Sequence, residues 1–364
     1  MQIKKILDLL EEIAPYSLQE NYDNSRLITG SADKEISGAL LALDCTEEII
    51  DEAIELGYNL VIAHHPIVFS GLKKFTGSTY IERVLIKAIK NDISILACHT
   101  NLDNVFDGVN KKIADKIGLK NCKVLLQKTS LLKKLVTYCP LSHIEQVRNG
   151  FFAVGAGKIG NYDCCSFGVE GTGTFKGNEF SNPFAGEKNA IHFEKEIRLE
   201  VLFESHKETK VLEALRKNHP YEEIAYEVYG TENLHPMIGS GLVGELEEEE
   251  NEILFLRRVK QIFNANCLRY THTTGQKIRK VALCGGSGSF LLPHAISSGA
   301  QVFISSDFKY HQFFDADNKI VIADIGHYET EQFTGEIFYD VIREKFPKFA
   351  VRLTKKNTNP VNYL

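Results

Sequence analysis

A chain of 364 residues exceeds the length at which one hydrophobic core usually stops growing, so two compact units are expected. Its 43% hydrophobic and 25% charged residues sit near globular averages, which argues against disorder. A net charge of -6 without a dense Lys/Arg block argues against nucleic acid as the main partner.

Met1 to Ala14 alternates charged and apolar residues at helical spacing (Ile3, Ile6, Leu7, Leu10), unlike the unbroken apolar core of a signal peptide. A polar turn at Tyr22-Asp23-Asn24 precedes the apolar run Gly38 to Leu43, which ends at Asp44. Thr46-Glu47-Glu48 opens a helix that Gly57 stops. The run Leu60 to Ala63, a helix near Tyr80 to Lys90 and the run Ile93 to Cys98 follow. Short apolar runs separated by helices predict an α/β fold with a mixed or mostly parallel sheet covered by helices. That rhythm returns at Val281 to Cys284, Val302 to Ile304, Ile320 to Ala323 and a last helix around Phe333 to Ile342.

The middle differs. It reads as strand (Lys134 to Tyr138), helix, Gly-rich stretch, strand (Glu196 to Phe203), helix (Thr209 to Asn218) and strand (Ala225 to Tyr229). The predicted organisation is therefore a core domain over 1–130 and 233–364 with an α+β domain inserted at 131–232. The acidic run Glu245 to Glu250 reads as a solvated helix face. No segment reaches the ~18 apolar residues of a membrane span. The eight cysteines form no Cys-x-x-Cys pair and read as reduced, so a cytoplasmic setting is expected.

In open α/β sheets ligands gather at the carboxyl ends of strands. His64-His65-Pro66 follows one run, His99-Thr100-Asn101-Leu102-Asp103 another, and Asp324-Ile325-Gly326-His327 with Glu331 a third. Asp44 and Asp307 close two more. Adjacent His64 and His65 cannot point the same way from a regular strand, and Pro66 biases the pair toward a turn, so the two rings suit two different ions. His327 and Glu331 share a helix face at i,i+4 spacing, from which Glu331 can bridge two ions.

The expected metal ligands are thus His64, His65, Asp103, His327 and Glu331, with Glu331 also the candidate catalytic group. His99 stands as either a ligand or a neighbour that orients one. The mixed nitrogen and oxygen donors suit two divalent ions, zinc foremost, with manganese, iron or cobalt as alternatives. Three neutral imidazoles and two carboxylates around two such ions leave a charge of about +2, attractive to hydroxide or phosphate.

Gly155-Ala156-Gly157-Lys158-Ile159-Gly160 matches the dinucleotide fingerprint formally, but a helix precedes it and no helical period follows. Gly285-Gly286-Ser287-Gly288-Ser289 is better placed. The backbone of Gly286, Ser287 and Gly288 either holds an anion at the start of a helix near Phe290 or forms a tight turn.

Together with Leu43-Asp44-Cys45-Thr46, Ser305-Ser306-Asp307 and Gly326-His327-Tyr328, these clusters resemble the NGG-interacting-factor-three family, whose bacterial members bear the name GTP cyclohydrolase 1 type 2. The resemblance covers essentially the whole chain and implies the same five metal ligands. It implies a toroidal homohexamer with paired metals facing an internal cavity, and an insert similar to the ferredoxin-like PII and CutA domains, carried by Gly155 to Phe167 and His219 to Glu223. One position departs. The family has Trp-Asp-Asn-x-Gly-Leu where this chain has Tyr22-Asp23-Asn24-Ser25-Arg26-Leu27, so a glycine is replaced by Arg26. The function expected is a metal-dependent hydrolase acting on a small anionic substrate such as a purine nucleotide. The alternatives are a non-catalytic metal-binding or regulatory assembly and a phosphoester hydrolase.

Overall fold

Apolar runs of four or five residues, too short for helices, form the centre of the larger of two units. The computed structural model describes residues 1–364 and divides them into Met1–Gln127 with Met237–Leu364, and Lys128–Pro236. In the larger unit, Gly38–Ala42, Leu60–Ala63 and Ser94–Ala97 are buried at every position and lie parallel. Continuous apolar sequence is what a strand covered on both faces requires. Ala350–Leu353 adds in parallel beside Gly38–Ala42, and Arg26–Thr29 adds antiparallel beside Ser94–Ala97. These make a five-stranded sheet.

A second sheet of six strands runs in the order Arg269–Tyr270, Val321–Asp324, Val302–Ser306, Lys277–Ser287, Gly239–Asn251, Lys120–Gln127. Its pairs Lys277–Ser287/Val302–Ser306 and Val302–Ser306/Val321–Asp324 are parallel. The mixed α/β fold anticipated from the sequence is present, with its strands divided between two sheets instead of one. Strand alternation shows why both sheets are sealed. Leu41, Ile62 and Leu96 of the first sheet share one core with Leu283, Ile304 and Val321 of the second, filled by Ile6, Ile113, Phe255 and Phe338 from helices. The opposite residues, Leu40, Val61 and Ile95, pack on Ile49, Ile50, Val84 and Leu85, while Ala282, Phe303 and Ile322 pack on Leu291, Leu292 and Ala295.

The acidic run corrects a helical expectation: Glu245 to Glu250 lies inside the strand Gly239–Asn251. Buried Gly244 and Leu246 alternate with the partly exposed Glu245 and the exposed Glu247. Glu245 faces Lys120 and Lys280 on the neighbouring strands, and Arg258 holds Glu250 at 2.8 Å. Opposite charges across a ladder offset the repulsion that would otherwise disfavour such a strand.

In the smaller unit, strands Leu132–Pro140, Ser166–Phe175, His192–Glu204 and Tyr226–Gly230 alternate with helices Ile144–Ala153 and Glu208–Asn218 in a β-α-β-β-α-β order. The all-antiparallel sheet runs Ser166–Phe175, His192–Glu204, Leu132–Pro140, Tyr226–Gly230, the split arrangement of ferredoxin-like folds. Gly155, Gly157 and Gly160 make a turn between a helix and a strand, so the strand-turn-helix context of a dinucleotide fingerprint is absent there.

Arg26 occupies φ +107°, a backbone region that favours glycine, and its guanidinium lies 5.3 Å from the Tyr16 ring centre. The structure thus gives the physical cost of the departure from the family pattern. Relief of backbone strain, of order 1–3 kcal/mol, outweighs the lost ring contact and the added chain entropy. Arg26→Gly is expected to stabilise the protein by about 1 kcal/mol in urea unfolding.

Candidate metal centre

Each site residue leaves the carboxyl end of a buried strand or sits on the short helix His327–Glu331. His64 and His65 follow Leu60–Ala63, Asp103 ends the single turn Thr100–Asp103 after Ser94–Ala97, and Gly326 at φ +105° turns the chain from Val321–Asp324 into the helix. The five residues expected as ligands come together. His64, Asp103 and Glu331 form one group that could hold a metal ion, and His65, His327 and Glu331 another.

The first group is a set of buried acceptors facing one another. His64 is completely buried, and its Nδ1–H donates to the Cys98 carbonyl at 2.9 Å. Because a carbonyl only accepts, His64 Nε2 carries a lone pair, and burial holds its pKa down at about 3. That lone pair points at Asp103 Oδ1, 3.5 Å away, and Glu331 Oε1, 3.9 Å away. Neither His64 Nε2 nor Asp103 Oδ1 has a hydrogen-bond partner. Burial, and then the charge of Glu331, push the Asp103 carboxyl well above its ordinary range. Ligands about 2.1 Å from a common ion stand roughly 3–3.5 Å apart, so a divalent cation at the centre would satisfy all three atoms.

The second group centres on the other oxygen of the same carboxylate. Glu331 Oε2 lies 2.9 Å from His65 Nε2 and 3.0 Å from His327 Nε2. Each ring is held from behind by an acid: His65 Nδ1 lies 2.7 Å from Asp44 and His327 Nδ1 2.6 Å from Asp307. Burial opposes the charged imidazoles, but these acids and Glu331 outweigh it and raise His65 to about 9 and His327 to about 11. Glu331 is itself buried; His327 and His65 nevertheless hold it well below the carboxylate range. Without metal, protons on the two Nε2 atoms occupy the space a cation would take. A carboxylate or carbonyl behind every imidazole is the arrangement that fixes ring tautomer in metal sites.

The remaining candidates sit close by. His99 has its Nδ1 2.8 Å from Asp23, and its ring centre lies 5.1 Å from that of His64 and 5.3 Å from that of His65. It could join a third group with those two histidines. The Gly286 amide is not free for an anion, because it donates to Thr330 Oγ1 at 2.9 Å. Its part is steric: at φ +59°, a Cβ there would stand 2.2 Å from Glu331 Oε1. Ser287 continues the strand opposite Ser306, and a Cβ at Gly288 would meet Ser305 Oγ at 2.4 Å.

Sequence reasoning missed two supporting residues. Asp23 accepts from the Thr100 amide and hydroxyl as well as meeting His99. Thr358 donates to Asp44 at 2.7 Å. The Asp23-Asn24 turn was a visible signal for the first, whereas nothing local marks Thr358. A cavity of about 510 Å³, bordered by Asp44, His65, Asp307, His327 and Tyr328, opens beside the second group. The donor set is nitrogen and oxygen only, because no cysteine belongs to any of these groups.

Comparison with known proteins agrees in scale with the whole chain. Residues 1–360 match the family model described as Duf34/NIF3 (NGG1p interacting factor 3). A Halalkalibacterium halodurans protein named "GTP cyclohydrolase 1 type 2 homolog" is 41% identical over 324 residues, 88% of this chain and 87% of its own. A Bacillus subtilis protein of the same name is 35% identical over 371 residues, covering 99% and 98%. A crystal structure of a Bacillus cereus protein related to NIF3 superposes with TM-score 0.87 at 34% identity over 100% of this chain and 99% of that one.

Proposed function

Since the chain belongs to the DUF34/NIF3 family, we propose that it holds two divalent metal ions bridged by Glu331 and uses them to hydrolyse a purine nucleotide. The observation that carries the metal reading is the buried meeting of His64 Nε2, Asp103 Oδ1 and Glu331 Oε1, in which His64 Nε2 stands 3.5 and 3.9 Å from the two carboxylate oxygens and no hydrogen bond holds it to either. Lone pairs brought together out of water repel unless a cation lies between them. Glu331 divides its oxygens between the two groups, so one ion falls to His64 and Asp103 and the other to His65 and His327. Zinc suits these donors foremost, with manganese, iron or cobalt as alternatives.

When bound, such ions supply Lewis acidity and an activated water. The residues of the chain do the rest. Asp44 and Asp307 aim the two exposed-side imidazoles, and Glu331, closed off beneath Gly286, fixes the spacing of the groups. The adjoining cavity lies in the ~300–1,000 Å³ range of small-molecule sites and leads a substrate to the His65 and His327 side. The purine nucleotide is taken from the names of the relatives, and the catalytic role of Glu331 belongs to the same proposal. The homohexamer implied by the family resemblance is a further part of it; light scattering should then read about six times 41.0 kDa.

Metal-loaded protein incubated with GTP should change the ultraviolet spectrum of the purine as water adds at C8 and the five-membered ring opens. Hydrolysis of phosphoesters with GTP left intact would replace the substrate class, and full metal occupancy without any turnover would favour a binding assembly. Asp307→Asn, which loosens the His327 ring, should weaken metal binding about 10–100-fold in competition with a chromophoric chelator.

A further inference from the structure

The sheet of the smaller unit has two faces, and only one carries helices. Leu199, Val201 and Phe203 face Val147, Phe151, Val211 and Leu215. Glu196 and Arg198 point the other way by strand alternation, and the register sets Gly171 beside Glu196, with Tyr138 and Val169 flanking Arg198. On this helix-free face lies a cavity of about 720 Å³. Glycine makes the room: a Cβ on Gly173 would stand 2.1 Å from Glu196 Oε2.

The cavity has an aromatic wall and a single buried acid. The rings of Phe175 and Phe184 lie 5.9 and 6.0 Å from that of Tyr221. Glu196 is only 7% exposed, and its Oε1 accepts from the Tyr221 hydroxyl at 2.6 Å. Its Oε2 receives no hydrogen bond, and no ion pair reaches it. Arg198, the nearest base on this face of the strand, is turned to Glu200 at 3.0 Å. His219 supplies no charge either: its Nδ1 accepts from the Tyr221 amide at 3.1 Å, its Nε2–H donates to the Tyr138 carbonyl at 3.0 Å, and burial lowers its pKa. A largely buried side chain whose one free oxygen borders a cavity and has no protein donor is open to a cationic ligand there.

We propose that this cavity binds a small organic ammonium ion, with an N–H donating to Glu196 Oε2 and the charge lying against the Tyr221, Phe175 and Phe184 rings. Aromatic faces attract a cation electrostatically, and a hydrogen bond to a carboxylate is stronger than one between neutral groups. Glu170, Glu222 and Glu223 also border the space against only Lys176 and Arg198, so the surrounding field disfavours an anion. A bare metal ion is poorly served by one carboxylate oxygen among rings, whereas an alkyl chain finds apolar wall.

Calorimetric titration of the full-length chain with butylammonium tests this, with butanol and tetramethylammonium as comparisons. Butylammonium should bind saturably at one site per chain, and Glu196→Gln, which keeps an acceptor for Tyr221, should weaken it at least about tenfold. Phe184→Ala, at a half-exposed position that folding tolerates, should weaken it several-fold. Equal binding of butanol, or of butylammonium to Glu196→Gln, would overturn the proposal. So would the absence of saturable butylammonium binding to the wild-type chain, as when a second copy covers the face. Tetramethylammonium binding as tightly as butylammonium would remove the N–H contact from it. Bound metal per chain should be the same in both variants, which keeps this outcome separate from that of the metal centre.

Discussion

Glu331→Ala is expected to empty the metal centre of both ions at once. The side chain is 3% exposed, and its two oxygens serve separate groups: Oε1 faces His64 and Asp103, Oε2 faces His65 and His327. No other residue belongs to both groups. Without it each ion keeps two protein donors and loses the negative charge between the cations, so affinity should fall at least about 100-fold at each position. Because binding to the folded state adds stability as RT ln(1 + [L]/Kd), wild-type protein at a thousandfold excess of metal over Kd gains about 4 kcal/mol per ion, of which a variant weakened 100-fold keeps at most about 1.4 kcal/mol. Elemental analysis after dialysis, paired with melting curves with and without metal, reads both effects. Two ions retained per chain in a folded Glu331→Ala protein would dismiss the bridging role.

The candidate ligands could be picked out because each of them follows a run of buried residues that leaves a clear strand signal. Leu60-Val61-Ile62-Ala63 has no exposed position to interrupt it, so His64 and His65 could be placed at a carboxyl end from sequence alone. The geometry behind the ligands was less legible because it is made across the chain. Asp23 reaches His99 over 76 residues and Thr358 reaches Asp44 over 314, and no local pattern encodes such pairings. Gly286 was visible as a glycine, but whether its backbone holds an anion or makes room for Glu331 depends on which helix packs over it. The strand Gly239–Asn251 was misread for a related reason: its charges are balanced by Lys120, Lys280 and Arg258 from three other elements, whereas composition alone presented an unpaired acidic run. At Arg26 the sequence flagged a missing glycine, and only the backbone angle shows what that residue must adopt.

Asp103 and His327 should separate the two positions. Asp103→Asn removes a charged donor from the His64 group alone, and His327→Ala removes one from the His65 group alone, so each variant should retain about one ion per chain where Glu331→Ala retains none. The two differ in stability. Ionised Asp103 is unfavourable in the metal-free fold, since burial and Glu331 raise its pKa and its Oδ1 has no partner. The folded wild type therefore holds its proton more tightly than the unfolded chain, and its stability falls as pH rises. Metal-free Asp103→Asn should accordingly be about 1 kcal/mol more stable than wild type at pH 7, with the gap closing as pH drops and the native carboxyl protonates. With metal present the order reverses, because the substitution then forfeits a ligand. Unfolding curves at two pH values, with and without zinc, give four comparisons. A variant less stable than wild type in the absence of metal would mean that Asp103 has a structural partner and that its carboxylate is not poised for a cation.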